Sequence, residues 1–310
     1  MRLRLRRATA QSSRLSAARA ALRAAALLRG GVPAARVWRR LAGEPDAAPE
    51  LLVVARGIAA GRGAAAALAS CEGPEWRVLA VAWQLAEQSG APISAVLDRI
   101  AAALASLEKL GQRRSVLLAG PRATIRLVAA LPIVALLFGA LLGFDPLGVL
   151  LSPAGAILAA IGIALLLIGV RWANLLTERL AAAEWVSGLE CELCWIGLSG
   201  GAAPGEAMRR VVDGVDRFDA RWVRLSAMRR DGVVHTALDS ASALGTPAGP
   251  MLLAEAEAAR GRALAQLEQQ AERLGVRVLL PLGICVLPSF IVLGVLPVLL
   301  AVMGSLGPLV

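Results

Sequence analysis

Two uninterrupted apolar runs occupy the middle of the chain. Residues 127–143 (LVAALPIVALLFGALLG) and 147–170 (LGVLLSPAGAILAAIGIALLLIGV) are separated only by Phe144, Asp145 and Pro146, and Asp145 is the one charge between Arg126 and Arg171. A helix rises 1.5 Å per residue and a bilayer core is about 30 Å thick, so about 20 apolar residues span it. The second run is long enough as it stands. The first reaches that length by extending back over Ile125 and Ala123, with the Arg126 side chain snorkelling to the interface. The three-residue turn at 144–146 predicts a transmembrane hairpin. After Arg277 no charged residue occurs up to Val310, and residues 278–303 are long enough to span with tilt.

The flanking segments are polar and helical in pattern. A basic tail is expected over residues 1–12, and a helix from Ser13, with Leu15, Ala18, Leu22, Ala25 and Ala26 near helical spacing. Gly30-Gly31 and Pro33 stop that helix and start the next. Further helices are expected over 34–41, 51–60, 64–69, 75–88 and 93–118, broken at 61–63, 73–74 and 89–92. After the hairpin they are expected over 173–198, 205–212, 217–230, 233–243 and 250–274. No segment shows strand alternation. The fold class is therefore all-α: a membrane protein with two cytoplasmic helical bundles and three transmembrane helices. The expected organisation is a tail (1–12), a first bundle (13–121), a hairpin (122–172), a second bundle (173–274), and a third span with a short external tail (275–310).

The two bundles read as a repeat. LRGGVPAARVWRRL (28–41) aligns with LSGGAAPGEAMRRV (198–211), matching Gly30, Gly31, Arg39 and Arg40 to Gly200, Gly201, Arg209 and Arg210. GAP at 90–92 aligns with GTP at 245–247, and AGPR at 119–122 with LGVR at 274–277, both 155 residues on. Gly139 and Gly294 stand at the same offset. A period this long is a tandem domain duplication, not a solenoid. Each unit leads through a Gly-x-Arg, Gly120 and Arg122 or Gly275 and Arg277, into a span.

Composition agrees with a membrane protein that has large water-exposed parts: 57% hydrophobic residues and mean hydropathy +0.65. Residues 1–126 carry 20 Lys+Arg against 8 Asp+Glu, whereas residues 171–277 carry 13 against 14. Arg113, Arg114, Arg122 and Arg126 precede span one, Arg171 and Arg179 follow span two, and Arg273 and Arg277 precede span three. The positive-inside rule then places the N-terminus in the cytoplasm and the 144–146 turn and C-terminus outside. A secretory signal is not expected, because Arg14, Arg19 and Arg23 interrupt the first apolar stretch. The formal net charge of +10 would suit nucleic acid, but anionic lipid beside the basic first segment is the simpler partner, so no nucleic acid is expected.

Sites for chemistry are sparse. Cys191 and Cys194 form C-x-x-C, but within a helix, and the chain has one histidine, His235, and no second cysteine pair. Cys71 and Cys285 are isolated, and disulfides are not expected on the cytoplasmic side. No phosphate-binding Gly-x4-Gly-Lys-Ser/Thr occurs, and the only lysine, Lys109, lies in mid-helix. No cofactor, metal or catalytic residue is assigned, and no enzyme activity is expected. No ionisable residue lies deep in a span, which argues against a solute transporter. Pro132, Pro153, Pro281, Pro288 and Pro297 interrupt the spans and are candidate kinks. Gly139 and Gly143 form a candidate G-x-x-x-G packing face. The acidic positions Glu190, Glu192, Glu206, Asp213, Asp216 and Asp219 make a candidate docking face for a basic partner.

The run AGPRATIRLVAALPIVALLFGALLGFDPLGVLL (119–151) resembles the start of the membrane region in actinobacterial TadB-type proteins. The run AERLGVRVLLPLGICVLPSFIVLGVLPVLLAV (271–302) resembles the C-terminal end of TadC-type proteins. Both belong to the type II secretion F family, inner-membrane platform proteins of Tad/Flp and other type IV pilus-like machines. The resemblance runs from about Leu15 to Met303 and implies a TadB-like unit followed by a TadC-like unit in one chain. It implies a bacterial inner-membrane platform that contacts a hexameric secretion ATPase through its bundles and passes motion to pilin or pseudopilin subunits. It also implies a homo- or hetero-oligomer of platform proteins in membrane lipid. A membrane-anchored signalling or regulatory helical protein is the alternative from another class.

Overall fold

A computed structural model describes residues 16–45, 47–143, 145–182 and 186–305. The expected tail (1–12), the start of the helix at Ser13, Phe144 of the turn, residues 183–185 and the end of the external tail (306–310) lie outside them. The described residues contain helices and no strand. By internal contacts they divide into two compact units, residues 1–110 with 185–264, and residues 111–184 with 265–310.

The first unit contains α1 (Ala17–Arg29), α2 (Ala34–Ala42), α3 (Pro49–Ala59), α4 (Ala64–Ala69) and α5 (Pro74–Ser89). To these it adds the first part of α6 (Ile93–Leu117), α10 (Leu189–Ser199), α11 (Pro204–Phe218), α12 (Val233–Leu244) and the first part of α13 (Ala248–Pro281). Helix ends follow local chemistry. The Ser16 side chain accepts a hydrogen bond from Arg19 N at 3.3 Å and caps α1. At the other end, Gly31 at φ +87° lets Val32 N reach Leu27 O and its own N reach Leu28 O, a Schellman stop.

The centre of this unit is α5, in which Trp76 and every residue of 78–86 are buried. A helix apolar around its whole circumference needs neighbours on all sides. Helices α1 and α4 cover part of it, and α10 and α11 cover the rest. Trp83 packs on Trp38 with ring centroids 5.4 Å apart. The two segments expected as separate bundles thus share one hydrophobic core. The turn geometry explains the close fit: a Cβ on Gly200 would stand 1.7 Å from Ser89 O, and one on Gly214 3.2 Å from Val81 Cγ1.

Two expected helices are corrected. The stretch 217–230 is mostly not helical: α11 ends at Phe218, and only Leu225–Met228 forms a 3-10 turn. Asp219 stops α11 by adopting φ +49°, with Ala220 N bonded to Val215 O, and its carboxylate accepts from Arg77 at 2.6 Å and Arg221 at 3.0 Å. The hydrogen bond from Arg221, and then that from Arg77, holds the Asp219 carboxyl below the ordinary aspartate range. The stretch 173–198 holds the end of one helix, at Ala182, and the separate helix α10, which starts after Gly188 at φ +85°, where a Cβ would stand 2.6 Å from Ala256 O.

The second unit contains the end of α6, α7 (Ala119–Leu141), α8 (Pro146–Leu151), α9 (Pro153–Ala182) and the end of α13. A π-helical turn (Leu282–Val286), α14 (Leu287–Phe290), a second π-helical turn (Ile291–Val295) and α15 (Leu296–Ser305) complete it. Three stretches are long and apolar enough to cross a membrane, within Ile93–Leu141, Gly155–Ala181 and Ala248–Leu300. The hairpin connection is longer than three residues. Asp145 caps α8 through Gly148 N at 2.9 Å, and Ser152 is extended at ψ 156°, as a residue before proline prefers. Span two therefore begins at Pro153 rather than at Leu147.

Candidate functional site

The three apolar helices define the first candidate region. A Cβ on Gly139 would stand 2.7 Å from Val298 Cγ2, and one on Gly294 2.9 Å from Ala135 Cβ. Both pairs are 159 positions apart, so spans one and three run parallel. Gly162 faces Leu293 and Gly169 faces Val286. Seven residues forward on span two is seven back on span three, so these two are antiparallel. In its most apolar window 44% of span three is buried, against 17% for each of the others, which makes span three the central one.

Span two carries glycines the sequence reading passed over. Gly162 and Gly169 are seven residues apart, two helical turns, on the face that meets span three. A Cβ would come within 2.5 Å of Leu293 Cγ at the first and 2.8 Å of Cys285 Cβ at the second. That period-seven spacing, beginning at Gly155, was the legible signal. Ser289, fully buried, donates its hydroxyl to Gly162 O at 2.8 Å and joins the same two helices. Small residues that let backbones approach, with a polar bond between them, are how helices associate in lipid.

The proposed kinks and packing face resolve differently. Gly139 packs against span three, but Gly143 ends span one at φ +86° with open space around it. The pair is therefore not a G-x-x-x-G face. Pro153 begins α9, where its missing N–H costs nothing, and Pro132 stays within α7. Pro281 closes α13 directly before the first π-helical turn. Pro288 and Pro297 would clash with the carbonyls four residues earlier, Ile284 and Leu293. Each of those lies in a π-helical turn, whose wider winding makes room.

The repeated Gly-x-Arg lies on open surface. A Cβ on Gly120 or Gly275 would meet nothing within 4 Å, and Arg122 and Arg277 are exposed. Packing within the chain does not require glycine at these helical positions. Gly275→Ala is therefore expected to raise stability by about 0.5–1 kcal/mol through helix propensity, read as a higher unfolding midpoint in detergent.

In the first unit, two of the acidic docking candidates turn inward. Glu192, at 0% exposure, receives Arg99 Nε at 2.7 Å and Arg260 Nη1 at 3.0 Å, and Arg99 also reaches Glu257 at 3.2 Å. Burial works against the Arg99 charge, yet the hydrogen bonds and charges of Glu192 and Glu257 hold its guanidinium above its ordinary pKa. This cluster joins α6, α10 and α13. Glu190, also buried, accepts from Arg224 N at 3.0 Å and Arg224 Nε at 3.3 Å. Glu206 pairs with Arg210 one turn along, and Asp219 with Arg77 and Arg221. Asp213 and Asp216 remain exposed. Only the last four can meet a partner.

Cys191 and Cys194 are buried side by side on α10. Burial, and then the charge of Glu190, pushes the Cys191 thiol up to about 12, and burial pushes Cys194 up as well. Burial and then Glu50 push Cys71 to about 12. Thiols so disfavoured as thiolates pack as small apolar groups. His235 is half-buried on α12.

No curated protein and no solved structure matches the chain. Residues 20–140, from α1 through span one, match the family model described as type II secretion system (T2SS), protein F.

Proposed function

We propose that this chain is a bacterial inner-membrane platform subunit of a type II secretion or type IV pilus-like machine, of the Tad/Flp kind. In this reading a TadB-like first half and a TadC-like second half stand in one polypeptide. The single observation that carries it is the family match over residues 20–140, which runs through a helical unit into an apolar span. The platform has no catalytic role of its own. Its helical unit receives the motion of a hexameric cytoplasmic ATPase, and its spans transmit that motion to pilin or pseudopilin subunits. The exposed Asp213 and Asp216 on α11, and the basic face of Arg36, Arg39 and Arg40 on α2, are among the charged surfaces available to the ATPase.

The proposed orientation puts the N-terminus in the cytoplasm and the 144–146 turn outside. A reporter active only outside the cytoplasm, fused at Asp145, is expected to be active, whereas one fused at Gly232 is expected to be silent. The reverse pattern would overturn the orientation. The function is tested by deleting the gene. Loss of pilus-type fibres or secreted substrate, with full-length pilin accumulating in the inner membrane and restored by the gene in trans, supports the platform reading. Unchanged fibres and secretion would reject it.

A further inference from the structure

Three arginines of the second unit converge with no carboxylate among the described residues that line their cleft. Arg179 on α9 and Arg273 and Arg277 on α13 line an open cleft of about 430 Å³ with Gln270, Leu176, Leu180 and Leu274. Leu180 and Leu274 are buried at 7% and 5% exposure and form an apolar floor. No carboxylate lines the cleft, although Glu178 and Glu272 lie next to it in sequence. Among the described residues none of the three arginines makes an ion pair. Elsewhere in the unit such pairing does occur, as between Arg113 and Glu268 at 3.1 Å.

The position of the cleft along the helices identifies the ligand. Arg277 is the last charged residue before the uncharged run that forms span three, and Arg273 is one turn before it. On span two the last apolar stretch ends at Arg171, and Arg179 lies about 12 Å further along the helix at 1.5 Å per residue. The headgroup layer adds roughly 5–8 Å to each side of the hydrocarbon core. Arginine stems long enough to snorkel then bring all three guanidiniums to headgroup level. Three neighbouring cations with an apolar floor want an anion that carries hydrocarbon. A guanidinium binds phosphate with two parallel hydrogen bonds, and the leucines receive the glycerol and upper acyl chain. Arg122, Arg126 and Arg171 are also exposed but do not line this cleft.

We propose that the cleft of Arg179, Arg273 and Arg277 is a specific site for the phosphate headgroup of an anionic phospholipid of the cytoplasmic leaflet, which clamps the ends of spans two and three. The site rests on the membrane placement of the spans and not on the platform reading, and its test contains no ATPase or pilin.

The test uses the purified full chain in nonionic detergent. Thermal unfolding is followed with added phosphatidylglycerol, with the same mole fraction of phosphatidylcholine, and with inorganic phosphate. Native mass spectrometry counts the lipid retained. Phosphatidylglycerol is expected to raise the midpoint by about 5 °C, phosphatidylcholine and phosphate by much less, with one phosphatidylglycerol retained per chain. R179Q/R273Q/R277Q loses both the shift and the adduct, whereas R36Q/R39Q/R40Q, which removes equal charge from α2, keeps them. Equal effects of the two lipids, a phosphate shift as large as that of phosphatidylglycerol, or a cleft variant that still responds would each overturn the site. If the cleft variant does not fold, the wild-type adduct decides: retention of phosphatidylcholine as readily as phosphatidylglycerol overturns it.

Discussion

Glu192→Ala is expected to destabilise the full chain by about 3–5 kcal/mol, the largest effect of any single charge removal. Glu192 is completely buried, and the side chains of its partners Arg99 and Arg260 are only 24% and 14% exposed. Removing the carboxylate leaves two guanidiniums largely out of water. Arg99 retains Glu257, which is 65% exposed and screened, while Arg260 keeps no other ion pair among the described residues. Removing both charges together leaves nothing unpaired, so E192L/R260M is expected to recover part of the loss. R113A/E268A is the control. That pair is 55% and 39% exposed and is expected to cost under about 1 kcal/mol. Unfolding midpoints in mild detergent decide the matter, and an E192A midpoint equal to that of the control would mean that the buried cluster does not hold the unit together.

Bulk at the span-two glycines is expected to be nearly as damaging. G162I/G169I should cost about 2–6 kcal/mol, at roughly 1–3 kcal/mol for each overpacked site. Carbon atoms rest 3.5–4.0 Å apart, whereas a Cβ at Gly162 would stand 2.5 Å from Leu293 Cγ and one at Gly169 2.8 Å from Cys285 Cβ. Separating the helices also breaks the Ser289 bond to Gly162 O, worth about 1–2 kcal/mol in model helices. The comparison is G283I, on the open face of span three where nothing lies within 4 Å. Titration into denaturing detergent should unfold G162I/G169I early and leave G283I close to the parent. L293A should partly rescue G162I but not G169I, because each glycine meets its own neighbour.

The spans were legible because hydropathy over 20 or more residues is a physical requirement of the bilayer, which no tertiary contact replaces. Their boundaries were less so. Residues 147–151 are as apolar as a span, and only Ser152-Pro153 signals that α8 is a separate short helix. In the stretch 217–230 the composition favours helix, and what ends α11 is Asp219 held in a left-handed conformation by Arg77, 142 residues away. The inward turn of Glu190 and Glu192 was hidden for the same reason. Their partners Arg224, Arg260 and Arg99 lie 34, 68 and 93 residues distant, and a charge reads as solvated until its partner is placed. Likewise 75–88 reads only as one more helix, and nothing local says that helices from the far half of the chain cover it. The period-seven glycines of span two could have been read, since small residues two turns apart in an apolar helix mark a contact face.

The platform account is tested most directly by recovering the chain from its own membranes in mild detergent and identifying by mass spectrometry what accompanies it. The account predicts a secretion ATPase and pilin-like subunits, enriched over a recovery from cells lacking the chain. Recovery of a different soluble partner, with neither of these present, would contradict it.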